Sequence, residues 1–196
     1  CSNAIWAYFS NCLNTNANTF TANAGVFGKV YFPRLVTPIS NVISTVIRFG
    51  IQMLLVMGFL LYYLVQGEVA PHWAAWLVIP IELLHMGVLG MGCGIIISSL
   101  TTKYRDLTVL VGFGVQLWMY LTPVVYPLST VAEGWKRTAL CLNPVTSSAE
   151  LMRYAILGQG TLNWGYYGLS WLLTVLVAVV GIMIFNKVER TFMDTV

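Results

Sequence analysis

Apolar and polar positions along the chain fall into long runs rather than short alternations. Residues 41–65, 74–100, 107–122 and 165–185 are each almost free of formal charge. About twenty residues at a rise of about 1.5 Å cover the roughly 30 Å hydrocarbon core of a bilayer, so these runs predict membrane-spanning helices. Residues 103–127, KYRDLTVLVGFGVQLWMYLTPVVYP, set the scale. The segment opens on a charged knot of Lys103, Arg105 and Asp106, continues without formal charge, and stops at Pro123 and Pro127. Residues 107–121 reach only about 22 Å, short of the core. Either the helix recruits part of 101–106, or the chain breaks at Thr122 and Pro123 inside the membrane. Non-helical backbone at that depth has to be buried in protein or line an aqueous cavity.

The remaining segments are mixed. Residues 1–24 carry Ile5, Trp6, Tyr8 and Phe9 and then an Asn- and Thr-rich tract. They are either part of a membrane helix or a polar loop after one. The start at Cys1, with no initiating methionine and no signal-peptide pattern, predicts a piece of a longer protein. In 25–40, Lys29 and Arg34 bracket Tyr31, Phe32 and Pro33, a basic and aromatic grouping suited to a membrane interface. A short interfacial helix, an elbow or an ordinary loop would all carry it. Residues 123–163 are too polar to span and too apolar for a simple external loop. Two short helices fit there: one near 130–141, capped by Thr130 with Glu133 three positions later, and one near 146–157, capped by Thr146 and ended by Gly158 and Gly160. Too short to stand alone in water, they are expected to lie against the membrane or dip back into it.

Composition agrees with this partition. The chain is 58% hydrophobic and 9% charged, with a positive mean hydropathy, where a soluble domain carries about 25% charged residues. The predicted class is therefore an all-α, polytopic transmembrane bundle with short re-entrant or interfacial helices before the last span. Net charge is only +3, so placement matters more than sum. Lys29, Arg34, Lys103, Arg105, Lys187 and Arg190 fall on one side of the alternating spans, which assigns that side to the cytoplasm. Lys136, Arg137 and Arg153 on the other side are nearly balanced by Glu68, Glu133 and Glu150. Cys1, Cys12, Cys93 and Cys141 share no metal-like spacing and read as small hydrophobes.

Within the spans a few polar positions stand out. Arg48 either snorkels to the headgroups or lines a polar interior. Glu82 and His85 share a helix face just after Pro80. Ionisable groups at that depth are costly and face protein or water. They form either a contact that only holds helices together or part of a translocation path. Gly87, Gly90, Gly92 and Gly94 predict a seam of close helix packing. Trp118, Tyr120 and Tyr126 either line an interior path or belong to the outer aromatic belt. No catalytic constellation, no metal-ligand cluster and no nucleotide-binding glycine motif is present in the sequence, so neither an enzyme nor an ATPase is indicated.

The run KVYFPRLVTPIS at 29–40, KYRDL at 103–107, QLWMYLTPVVYPLS at 116–129 and the Asn143-Pro144 pair occur in an order and spacing that resembles the membrane subunits of type 2 ABC exporters of polysaccharides, such as O-antigen, capsule and teichoic acid. The resemblance implies a channel-forming permease subunit in the bacterial inner membrane. It implies a homodimer, a separate cytoplasmic ATPase that carries ATP and Mg, and a lipid-linked glycan or polyol-phosphate substrate. This chain itself would bind no cofactor, and no nucleic-acid partner is expected. The same comparison places ATPase coupling at Lys29, Tyr31, Phe32, Pro33, Arg34, Tyr104, Arg105 and Asp106, within a coupling element at 25–40 and the next cytoplasmic turn. It places the periplasmic gate at 123–163, with Pro123, Tyr126, Pro127 and Arg153, and a cytoplasmic tail at 186–196. By this comparison 1–24 is most of a second span. The rivals are an ion-coupled carrier built on Glu82 and His85 and a non-transporting scaffold of polysaccharide assembly.

Overall fold

A computed structural model describes residues 1–19, 35–67, 70–101, 107–132, 134–160 and 162–193. Over these residues the chain is helical, as its periodicity predicts, with α1 (Ser2–Ala17), α2 (Val36–Val65), α3 (Ile79–Thr101), α4 (Leu107–Leu121), α5 (Trp135–Leu142), α6 (Pro144–Leu157) and α7 (Trp164–Met193). Two short 3-10 turns, Trp73–Val78 and Leu128–Thr130, join them. The stretches Val36–Val65, Trp73–Thr101 and Trp164–Lys187 are long and apolar enough to cross a membrane.

Helix α1 holds the centre of the bundle. Ile5, Phe9, Cys12 and Leu13 are fully or almost fully buried. The Asn- and Thr-rich end stays helical to Ala17 rather than opening into a loop, because Leu13, Asn16 and Ala17 are buried and the backbone there packs on Gly90 and Gly94 of α3. Asn16 Nδ2 donates to the Cys12 carbonyl at 2.9 Å, which removes the polar cost of burying the amide, and the exposed Thr15 Oγ1 donates to the Asn11 carbonyl at 2.7 Å. Asn41 Nδ2 donates to Asn16 Oδ1 at 3.2 Å and ties α1 to the start of α2.

Helix α2 begins at Val36, five residues before the apolar run that predicted it. Pro38 falls in its first turn, where a missing N–H costs nothing. The outward face of α2 is strongly apolar, with Ile47 69% and Leu54 73% exposed, a surface suited to hydrocarbon. The span expected at 74–100 is a 3-10 turn followed by α3 from Ile79. Pro80 lies at the junction, where its lack of an N–H delays the start of the α ladder.

Helix α3 packs on two sides through its glycines. A Cβ at Gly87 would stand 2.8 Å from the Tyr8 hydroxyl, one at Gly90 2.7 Å from Cys12 Cβ, and one at Gly94 2.7 Å from the Leu13 carbonyl oxygen, all on α1. On the other side a Cβ at Gly92 would stand 3.1 Å from Ala178 Cα of α7. The expected seam is therefore double, and only hydrogen-sized side chains let the backbones of α1 and α7 both close on α3.

The short helices differ from expectation at their starts. Thr130 belongs to the 3-10 turn, where its hydroxyl donates to the Pro127 carbonyl at 2.7 Å, so it does not cap α5. Gly134 takes the cap position of α5 without a side-chain bond, and Glu133 lies outside the described residues. Helix α6 is capped by Asn143, not Thr146: the Val145 N–H donates to Asn143 Oδ1 at 3.2 Å, and Pro144 occupies the first turn. Gly158 ends α6 in the left-handed conformation, φ 69°, as its position predicts. Replacing Asn143 by Ala is expected to lower stability by about 1–2 kcal/mol, with Asn143→Ser between Ala and the native residue. Thermal unfolding of the purified protein checks this, and equal melting of all three would reject the cap.

Candidate functional site

Helix α6 is short, yet Thr146, Ser148, Glu150 and Arg153 on it are all buried. Ser148 meets His85 of α3, and Glu150 and Arg153 meet each other and the stretch from Pro123 to Leu128 that follows α4, so α6 is the element from which the polar interior is organised.

The first arrangement holds the break after α4. Helix α4 ends at Leu121, and Thr122 to Tyr126 leave the helical path. Thr122 turns its hydroxyl back to the Trp118 carbonyl at 2.9 Å and accepts from Asn143 Nδ2 at 2.8 Å. Arg153 then points Nη2 at the carbonyl oxygens of Pro123, Val124 and Tyr126, at 3.4, 3.3 and 3.4 Å. Its Nη1 donates to Glu150 Oε1, which also accepts from the Leu128 N–H at 3.1 Å. One guanidinium thus serves the carbonyls of the non-helical stretch after α4, and one carboxylate neutralises it. Arg153, Pro123 and Tyr126 are brought together as a unit, and Pro127 closes it as the cap of the following turn. Arg153 spends these donors inside the fold.

The second arrangement lies in the first two turns of α3. Glu82 and His85 are both fully buried, with His85 Nδ1 3.6 Å from Glu82 Oε2. His85 Nδ1 is 3.2 Å from Ser148 Oγ of α6, and Nε2 is 3.2 Å from Ser170 Oγ and 2.9 Å from Thr174 Oγ1 of α7. The ring stacks on Trp171 at 4.4 Å between centroids. Ser170 donates its proton to the Pro144 carbonyl at 2.8 Å and turns a lone pair toward His85. One imidazole therefore ties α3 to α6 and α7. Neither carboxylate oxygen of Glu82 nor the Tyr167 hydroxyl completes a hydrogen bond of full geometry, but the hydroxyl lies close enough to interact with the carboxylate, and His85 stands beside it. Buried polar atoms are seldom left without a partner, and these groups serve one another.

The aromatic candidates separate. Trp118 packs edge-on against Phe9 at 5.3 Å and Trp6 at 6.3 Å, and with Tyr126 and Trp135 it borders an open groove of about 770 Å³. Tyr120 is 73% exposed and lies outside that groove. Lys136 sits at its edge with Nζ 5.9 Å from the Trp135 ring. Lys29, Tyr31, Phe32, Pro33, Arg34, Tyr104, Arg105 and Asp106 lie outside the described residues. Among the described residues no three His, Cys, Asp or Glu side chains converge as a metal site would require.

Ser148, Tyr167, Ser170, Trp171 and Thr174 were not singled out by sequence. A signal existed: positions 167, 170, 171 and 174 follow the i, i+3, i+4, i+7 spacing of one helix face in an otherwise aliphatic span.

Comparison with known proteins bears on this architecture. The family model described as "ABC-2 type transporter" matches residues 4–157. An O-antigen export system permease protein RfbA of Klebsiella pneumoniae is 29% identical over 189 residues, covering 96% of this chain and 71% of that protein. A protein of the same description from Myxococcus xanthus is 30% identical over 145 residues, covering 72% of this chain and 53% of its own length. The match takes in α1 through α6, including the glycine seam, the break after α4 and the helix that supports it, and the chain belongs to the ABC-2 type transporter family.

Proposed function

We propose that this membrane transport subunit forms, with a second copy, the channel of an ATP-driven exporter that moves a lipid-linked polysaccharide or polyol-phosphate polymer out of the cytoplasm across the bacterial inner membrane. Similarity to O-antigen export permeases over nearly the whole chain carries the substrate class. The supported break after α4 fits a path that widens into an outer gate. A hydroxyl-rich polymer needs a wide polar route, and flat aromatic rings let sugar faces slide without one fixed hydrogen-bond geometry. Trp118 and Tyr126 at the open groove are suited to that task.

In this reading a separate ATPase subunit binds ATP and Mg and pushes on 25–40 and the turn at 102–106. The packed helices carry the motion through α3 to α6, where His85 and Arg153 meet the gate. Deleting the protein from its host is expected to leave lipid-linked polymer inside the cell and none at the surface, measured by separating inner-leaflet from surface polymer. Reversing the charges of Lys29 and Arg34 is expected to abolish co-purification of the ATPase while the subunit remains in the membrane. Polymer reaching the surface in the deletion strain, or transport sustained by a pH gradient without ATP, would sink the proposal.

A further inference from the structure

A smaller cavity of about 290 Å³ lies behind the gate helices, between α5, α6 and the start of α7. Its polar wall is formed by Arg137, Thr146, Ser147, Glu150 and Asn163, with the ring of Tyr166 beside them. Leu128 and Leu162 supply apolar patches. Thr146 is 1% exposed, and its hydroxyl has no hydrogen-bond partner. A hydroxyl in that position loses its water without recovering a bond, which costs about 1–3 kcal/mol unless a ligand supplies one. Asn163 uses its amide oxygen on the Gly165 N–H at 2.9 Å, which leaves the NH₂ to donate.

The wall discriminates between ligand classes. Arg137 brings a guanidinium, and Glu150, whose Oε1 is taken by Arg153 and the Leu128 N–H, still brings a carboxylate to the same cavity, which a phosphate drawn by Arg137 would have to meet. An alkyl chain would strand the hydroxyls of Thr146 and Ser147. A neutral polyol satisfies both the donors and the acceptors, and its C–H faces suit Tyr166 and the two leucines. The volume lies at the low end of small-ligand sites, about 300–1,000 Å³, and suits one ring rather than a chain.

We propose that this cavity is a subsite for one neutral, polyhydroxylated ring of pyranose size, which holds a sugar unit of the exported polymer at the gate. The assignment rests on the exporter reading above. Its occupant would bridge α5 and α6 to the entry of α7, so sugar binding would be felt by the helices that border the exit.

Cys141 in the same wall gives a native reporter. In the purified full-length protein in lipid nanodiscs, modification of Cys141 by N-ethylmaleimide is followed by peptide mass spectrometry, with saturation-transfer NMR as a parallel readout that does not need the thiol. Methyl α-D-glucopyranoside or methyl β-D-galactopyranoside is expected to slow modification saturably and to show saturation transfer, whereas inorganic phosphate does neither. Thr146→Val removes an unpartnered hydroxyl, so the variant is expected to melt at or above the native temperature. It should weaken sugar protection about fivefold, the change expected from one hydrogen bond of ordinary strength. Protection by phosphate in place of sugar, no effect of either sugar in both measurements, or undiminished sugar binding by Thr146→Val would each overturn the subsite. Any of these results, with polymer still trapped in the deletion strain, removes the subsite alone. Sugar binding with normal export in that strain removes the exporter reading instead.

Discussion

Replacing Arg153 by Met is expected to remove about 3–5 kcal/mol of folding stability, the usual cost of breaking a buried ion pair from one side. Arg153 and Glu150 are 8% and 3% exposed, so the Glu150 carboxylate left behind would have little water to replace the guanidinium. The loss does not stop at the charge. The carbonyls of Pro123, Val124 and Tyr126 face the same guanidinium, and Met offers them no donor. Arg153→Lys is expected to fall between the two. It keeps the charge but replaces a planar fork by one ammonium, which cannot span a carboxylate on one side and three carbonyls on the other. The double variant Glu150→Gln with Arg153→Met is expected to be more stable than Arg153→Met alone, because it removes the orphaned charge. Melting of the detergent-purified proteins, read by the loss of the monodisperse peak on size-exclusion chromatography, ranks the set. An Arg153→Met protein that melts with the native one would show that the break after α4 stands without this support.

The break itself was legible in sequence because its signals are local. A charge-free run too short for the bilayer and two nearby prolines offered a break at Thr122 and Pro123 as one of two readings, and α4 ends at Leu121, while the other reading bears on 102–106, outside the described residues. The glycine spacing of α3 was legible for the same reason, since small residues on one helix face have few uses other than close approach. What supports the break was not legible, because it is long-range: Arg153 acts on carbonyls 27 to 30 positions away. Seen alone, an Arg in a short helix expected at the membrane surface reads as an outward cation. The caps of α5 and α6 went astray through a near tie in local chemistry. Thr130 and Thr146 are both competent caps, but Asn143 precedes Pro144, whose fixed φ favours the first helical turn, and its amide has a second partner in Thr122. The pairing of Glu82 with His85 follows from helix spacing, whereas the ring of Ser148, Ser170 and Thr174 around His85 needs three helices to be packed before it exists.

Gly90→Val is expected to separate α1 from α3 and to cost at least about 3 kcal/mol, at or beyond the upper end of ordinary overpacking. The first carbon of any side chain there would meet Cys12 Cβ at 2.7 Å and the Phe9 carbonyl oxygen at 2.9 Å. The second contact is backbone, so no rotamer change relieves it and the whole of α1 has to move. Cys12→Gly should therefore rescue Gly90→Ala only in part, since it clears the Cβ and leaves the carbonyl. Gly112→Ala on α4 is the matched control: its added carbon meets nothing within 4 Å, and Ala is favoured over Gly in a helix by about 0.8–1.0 kcal/mol. It is expected to melt at or slightly above the native temperature. Displacing α1 has a cost beyond local packing, because Phe9 and Trp6 are the surface against which Trp118 rests. Movement of α1 would pull on α4 one turn before its break. In Gly90→Val that survives purification, Trp fluorescence is expected to shift to the red as Trp118 loses these neighbours, and export should fall with it. Native melting and unchanged fluorescence would mean that the contact between α1 and α3 is looser than a shared backbone surface. The double glycine seam would then not be what transmits motion from the spans to the gate.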